Sequence, residues 1–223
     1  ALAVAIYPGR PPTARVMAAL LALALVGTVL LSQSRGAYAA AALGCIVAVM
    51  LRGRWAAIIG LALLTAGVAA LWTNQGLWMP LMDNALMGLD RRVQIWERAV
   101  YALRDFPLTG LGFGHFAFLA PILYPYFFTG AEAAPHAHNL FLQIGVDAGI
   151  PGLAAMAVIW VGVATQLVRV LRLPQSPGQH ALAAGALAAL IALWIHGMVE
   201  AAAWSSKVAF LPWLIYAVAI SIH

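Results

Sequence analysis

Long apolar runs separated by short polar breaks dominate the chain. Runs from Ala14 to Leu31, Gly36 to Leu51, Trp55 to Trp72, Pro151 to Val168, Ala181 to Val199 and Val208 to Ile222 each read as an apolar helix. A helix needs about 20 residues to cross the hydrocarbon of a bilayer. Several of these runs sit near the short limit, and six crossings are expected. Between the third and fourth runs the pattern changes and turns amphipathic. There "LDRRVQIWERAVYALRDFPLTG" predicts a helix with Asp90 at its start and Pro107 and Gly110 marking its end. Val93, Trp96, Val100 and Leu103 recur at three- and four-residue spacing and predict its apolar stripe. Arg91, Arg98 and Asp105 share one heptad position and predict a solvated face. Arg92 instead shares a side with Trp96, Ala99 and Leu103, which sends it either to lipid headgroups or into a polar cavity.

The expected fold is therefore an all-α integral membrane protein, a single membrane domain over residues 1–223. About six transmembrane helices make it up, three within 14–72 and three within 151–222, joined by a long helical loop over 73–150. Composition supports lipid as the solvent. Hydrophobic residues make up 64% of the chain and charged residues 9%, and the mean hydropathy is +0.93, so there is too little polar surface to cover a water-facing exterior. The formal charge is +5, but the basic residues are dispersed between apolar runs, so they report membrane orientation and no nucleic-acid partner. Cys45 stands alone within an apolar run and has no partner for an internal disulfide.

With alternating crossings, Arg10, Arg15, Arg52, Arg54, Arg169 and Arg172 fall on one side, and none of the acidic residues joins them. The positive-inside rule makes that side cytoplasmic. The long loop then lies outside the cytoplasm, in the periplasm of a two-membrane bacterium. A substrate carried on lipid is easier to supply there than a nucleotide-sugar.

The loop holds the candidate chemistry. Gly110, Gly112 and Gly114 lack the strand-to-helix context of a phosphate-binding fingerprint and read as a flexible or closely packed connection. Further on, "EAAPHAHNLFLQIGVDAGIPG" places His136 and His138 two apart, which is not the spacing of a zinc helix. No metal and no cofactor are expected. His138-Asn139 can open a helix, and Asp147, Gly149, Pro151 and Gly152 mark a break after it. From the residues alone this stretch is either a structural turn at a membrane interface or a catalytic site. Glu200 follows His196 by four residues, a spacing suited to a helix-stabilising pair, with a substrate contact as the alternative.

Several segments, in order, resemble the bacterial O-antigen ligase and polymerase superfamily, whose shared region is called the Wzy C-terminal domain. "SQSRGAYAA" resembles its Ser-Arg-Gly entrance to a span. "RRVQIWERAVYALRDFPLTGLGFGHF" resembles its Arg-x3-Trp helix and glycine-rich turn. His138-Asn139, nine residues, then Gly149 to Gly152 resembles its ligase motif. The resemblance covers roughly Leu30 to Val168 and implies a GT-C-like multispanning fold of about twelve spans, with an amino-terminal half upstream. It implies a glycosyltransferase that moves a glycan from undecaprenyl diphosphate to a lipid A–core acceptor or another saccharide, among membrane lipids of the bacterial inner membrane. It further implies His138 as the catalytic residue, as general base or as imidazolium. Arg35, Arg92, Asn139 and His136 are implied as substrate-binding residues, and Trp96, Gly110, Gly149 and Gly152 as structural ones. A polysaccharide polymerase is the alternative within the family; a transporter or an inactive scaffold is the alternative outside it.

Overall fold

A computed structural model describes residues 1–73, 91–125, 134–174, 176–205 and 209–222. Regular structure among them is all helical. The elements are α1 (Leu2–Ile6), α2 (Pro12–Leu31), α3 (Arg35–Met50), α4 (Arg54–Thr73), α5 (91–105), α6 (Phe116–Leu123), α7 (Leu140–Arg172), α8 (Pro177–Gly197), α9 (Ala202–Ser205) and α10 (Leu211–Ser221).

The expectation of six spans is not met. Among the described residues three helices are long and apolar enough to cross a membrane: Pro12–Leu31, Leu140–Arg172 and Pro177–Gly197. Helices α3 and α10 are only 16 and 11 residues long, and in α4 the apolar stretch Arg54–Gly67 ends before the helix does. For α3 and α10 the reason is length, since each residue advances a helix by only about 1.5 Å. An apolar run in the sequence counts every residue up to the next charge, whereas the helix stops where its hydrogen bonds stop. The run expected over 208–222 becomes helical only at Leu211. The three long helices are those of a multi-pass membrane protein, and α2 buries none of its residues, as expected of a helix whose apolar sides face lipid.

The chain divides into two compact units, one of residues 1–69, 160–196 and 211–223, the other of 70–159 and 197–210. In the first, small residues let helices approach closely. A Cβ on Gly44 of α3 would lie 2.9 Å from the Ala192 Cβ on α8. Leu167 and Val170 of α7 pack with Ala183 and Leu187 of α8 and Ala219 and Ile222 at the α10 end. Trp160 Nε1–H donates to the Tyr216 hydroxyl at 2.7 Å, which satisfies an indole that burial would otherwise leave unpaired. Ser34 caps α3 by accepting the Ala37 N–H at 3.3 Å, and Arg35 is the first residue of that helix.

The second unit is built around α5. Its buried side is Ile95, Ala99 and Ala102, packed with Phe116 and Ala120 of α6, Ala134 and Ala137 before α7, and Val146 within it. Val93 is exposed and Trp96, Val100 and Leu103 are only half-buried, so the predicted stripe lies beside the true one. Size misled the pattern: two alanines make the closest-packed line because they let α6 and the loop come near. Arg98, expected to be solvated, is only 7% exposed. Its Nε and Nη2 donate to the Pro125 carbonyl at 3.2 and 3.1 Å, and its Nη1 pairs with Glu97 at 3.0 Å. Asp90 lies outside the described residues.

The glycine-rich turn after α5 is a close connection, as its composition suggested. Leu111 N–H donates to Val146 O at 2.6 Å, and Ile150 N–H to Pro107 O at 2.7 Å. Two backbones thus meet, the turn on one side and α7 on the other. Gly149 breaks α7 with φ 69° and ψ −175°, a conformation outside the helix. The part of α7 after the break is about one membrane crossing long; the part before it belongs to the second unit.

Candidate functional site

Residues 134–139 form the turn that leads into α7, and three contacts fix its shape. His138 has φ 47°, in the left-handed region that few side chains adopt. Its N–H donates to His136 Nδ1 at 3.2 Å, and its carbonyl accepts the Trp96 indole N–H at 3.3 Å. Its ring Nδ1 lies 3.4 Å from Glu200 Oε2. Such a backbone persists only when its surroundings over-determine it, and here the turn, α5 and the segment after α8 all hold it. Asn139 starts α7: its Oδ1 accepts the N–H groups of Phe141 and Leu142, both at 3.0 Å, and its Nδ2 donates to Met198 O at 2.9 Å.

Arg92 and Trp96 are one helical turn apart and so project from the same side of α5. Trp96 holds the turn at His138, while Arg92 Nη1 donates to Val199 O at 2.7 Å and holds the segment after α8. Beside them opens a cavity of about 270 Å³ lined by Arg91, Arg92, Ile95, Ala134 and His138. Two arginines and one histidine therefore border the same small space.

Beneath the turn lies a buried polar chain. Gln143, 1% exposed, accepts the Ala137 N–H at 2.6 Å and donates to Asp147 Oδ1 at 3.0 Å. Asp147, 3% exposed, accepts the Trp204 indole N–H at 2.9 Å on its other oxygen. This links the histidine turn, α7 and α9 through satisfied hydrogen bonds, the condition under which a buried polar group is tolerated.

Glu200 is the member that sequence reasoning paired with His196 and not with the histidine turn. It lies beyond the end of α8, and its carboxylate faces His136 Nε2 and His138 Nδ1, each at 3.4 Å. Burial works against its charge, but hydrogen bonds from His138 and the Ala201 N–H, with both imidazoles nearby, outweigh it and hold its pKa at about 2 instead of 4.5. His136 shifts down from 6.5, first because it is buried and next because of His138; Glu200 pulls it back up, and Arg92 adds a smaller downward push. Near neutral pH His136 is thus a neutral neighbour of Glu200 and not half of an ion pair. The three ligand atoms of His136, His138 and Glu200 lie within 4.8 Å of one another. Yet His136 Nδ1 accepts the His138 N–H, so the neutral ring carries its proton on Nε2, the atom that faces Glu200. A metal there would have to displace that proton, and the cluster is arranged to share protons.

Arg35 belongs to the first unit, where it is exposed at the start of α3, and it is not among the residues that line the cavity. His136, His138, Asn139, Arg92 and Trp96 are brought together in the second unit with Glu200.

A family model described as O-antigen ligase matches residues 19–157, more than half of the chain. The chain belongs to the O-antigen ligase family. In this O-antigen ligase-family protein the match contains α5, the glycine turn, the histidine turn and the break at Gly149, and it ends before Glu200. Membership places the chain among ligases and polymerases that act on lipid-linked glycans, chemistry that a cationic cavity beside an imidazole suits. No curated protein matches the chain.

His136 and Glu200, the two depressed groups of the cluster, give a pH expectation for this family member. Both folded pKa values are depressed, so both contributions are complete above the unfolded values and are lost as pH falls. The His136 contribution declines from 6.5 downward, and the Glu200 contribution declines from 4.5 toward about 2. Amide hydrogen exchange across 134–139 should therefore speed up as pH is lowered from 8 to 5, once corrected for intrinsic rates, before the buried Asp147, whose pKa is raised, acts in the opposite sense. Corrected protection that stays flat over that range would show that the cluster does not hold the turn.

Proposed function

We propose that this protein transfers a glycan from undecaprenyl diphosphate to a hydroxyl of a lipid A–core acceptor on the outer face of the bacterial inner membrane. The observation that carries the proposal is the cavity that Arg91, Arg92 and His138 together line. The acceptor oxygen attacks the anomeric carbon and its proton passes to His138 Nε2. The bond from that carbon to the diphosphate oxygen breaks, and its electron pair leaves on the lipid diphosphate. The negative charge that grows there is what a guanidinium stabilises, by two parallel hydrogen bonds in the best geometry. Arg92 is already oriented, since one of its N–H groups is fixed on Val199 O.

Sidedness is supported by the two long helices nearest the site. Arg169 and Arg172 stand in the last turn of α7, just before α8 begins at Pro177. His138 precedes the first turn of α7 and Glu200 comes after the last turn of α8. Helix α7, read as a crossing, carries its basic end inside and its site end outside, where a lipid-linked donor can be met.

In membranes containing the full-length protein, a glycan on undecaprenyl diphosphate is offered with lipid A–core as acceptor. Arg92→Ala should lower kcat/KM for the donor by roughly 10- to 100-fold, the worth of one or two charge-assisted hydrogen bonds. Arg92→Lys should fall between Ala and wild type, because a lysine keeps the charge but loses the fork. A folded Arg92→Ala protein with unchanged kcat/KM would remove Arg92 from the donor site. Wild-type product consisting only of lengthened lipid-linked glycan would make the protein a polymerase instead. The expectation for Arg35 rests on its motif and is tested by Arg35→Ala in the same assay.

A further inference from the structure

We infer that Glu200 is a positioning residue that selects the tautomer of His138, holding the proton on Nδ1 so that Nε2 is the basic atom. This rests on the reading of His138 as the general base and adds to it a group from outside the histidine segment. The carboxylate is an acceptor only. Its Oε1 accepts the Ala201 N–H at 2.9 Å and faces His136 Nε2 at 3.4 Å, which leaves Oε2 for His138 Nδ1, also at 3.4 Å. The partner atom of His138 must then be N–H, and the neutral ring keeps its lone pair on Nε2. When the acceptor hydroxyl gives up its proton, the imidazolium that forms has its positive charge beside Glu200. The charged groups around His138 are Glu200 and His136 in the cluster and Arg91 and Arg92 from α5. Among these described residues, Glu200 is thus the negative group beside positive or neutral neighbours.

The same geometry explains why an amide would be the wrong replacement. In Glu200→Gln the side-chain oxygen is drawn to the Ala201 N–H and the His136 proton. The amide NH2 then occupies the place of Oε2 and donates to His138 Nδ1. That forces the His138 proton onto Nε2 and blocks the base. Glu200→Ala leaves the tautomer free and loses only the orientation.

The test measures kcat and donor KM for wild type, Glu200→Gln, Glu200→Ala, Glu200→Asp and His138→Asn. The assay uses membranes of the full-length protein, undecaprenyl diphosphate-linked oligosaccharide as donor and lipid A–core as acceptor. Glu200→Gln should lose about 10²- to 10⁴-fold in kcat, the range for a wrongly protonated or missing base. Donor KM should be unchanged, Ala should be less impaired than Gln, and Asp should recover part of the loss. A purely structural role predicts the opposite order, since Gln best preserves shape, and that order overturns the inference. Loss of wild-type activity with a chelator and its return with zinc also overturns it. The nitrogen-15 spectrum of histidine-labelled wild type decides independently of any variant's folding: His138 must show protonated Nδ1 and bare Nε2, and the reverse tautomer overturns the assignment. An inactive His138→Asn beside a fully active Glu200→Gln sinks this inference alone. A fully active His138→Asn sinks the function reading on which it stands.

Discussion

Replacing His138 by asparagine should reduce glycan transfer by roughly 10²- to 10⁴-fold, the usual worth of a positioned general base, while leaving the protein folded. Asparagine is the informative choice because position 138 has φ 47°. Asn tolerates the left-handed region better than most side chains, whereas Ala there costs about 1–2 kcal/mol of backbone strain. The turn also keeps its other ties in the variant, the His136 Nδ1 acceptor for the 138 N–H and the Trp96 donor for the 138 carbonyl. Activity and stability should therefore separate. His138→Asn loses activity at near wild-type melting temperature, and His138→Ala loses activity and some stability as well. Single-turnover transfer together with thermal unfolding of the same preparations checks both. If His138→Asn keeps wild-type turnover, the histidine turn is a structural element and the base lies elsewhere.

The second large effect concerns the fold. Gly149→Val should destabilise the second unit by roughly 3–5 kcal/mol, at the upper end for single substitutions. Two causes add. The dihedrals φ 69° and ψ −175° belong to a region essentially reserved for glycine, worth about 1–3 kcal/mol to any other residue. In addition, a Cβ at 149 would lie 2.6 Å from the Leu108 carbonyl carbon and 2.7 Å from its oxygen. Those are backbone atoms and cannot rotate away. Gly110→Ala meets the same obstacle from the other side, 2.5 Å from Val146 O. Gly114→Ala is the control: its φ is 73°, yet nothing lies within 4 Å of the added Cβ, so it costs only the backbone term of about 1–2 kcal/mol. Thermal unfolding and limited proteolysis rank the three. Equal losses at 114 and 149 would mean that close approach contributes nothing.

Local pattern made much of this legible. The α5 helix, the glycine turn, the helix start at Asn139 and the break at Gly149 are each written in a few adjacent residues, and each is found. Arg92 and Trp96 were readable as a pair because four residues bring two side chains to one face. The features that stayed hidden depend on the third dimension. Glu200 meets His138 from 62 positions away, and nothing near either residue announces the other; the adjacent His196 even offers a more obvious partner. Arg98 looks solvated by its heptad position until the Pro125 carbonyl is seen to cover it. The alanine line of α5 carries no signal in a reading weighted by side-chain size. The six expected spans failed for a different reason, since hydropathy measures how apolar a stretch is and not how far its helix extends.

The seam between the glycine turn and α7 is joined main chain to main chain, by Leu111 to Val146 and Ile150 to Pro107. Such a joint is blind to most side chains around it. Residues on the exposed surfaces of α5 and α6 can therefore be exchanged while the register of the scaffold stays fixed. A protein of this design can vary its surface without first redesigning its frame. Substitutions at Val93, Phe118 and Ile122, all exposed, should leave thermal unfolding of the protein nearly unchanged.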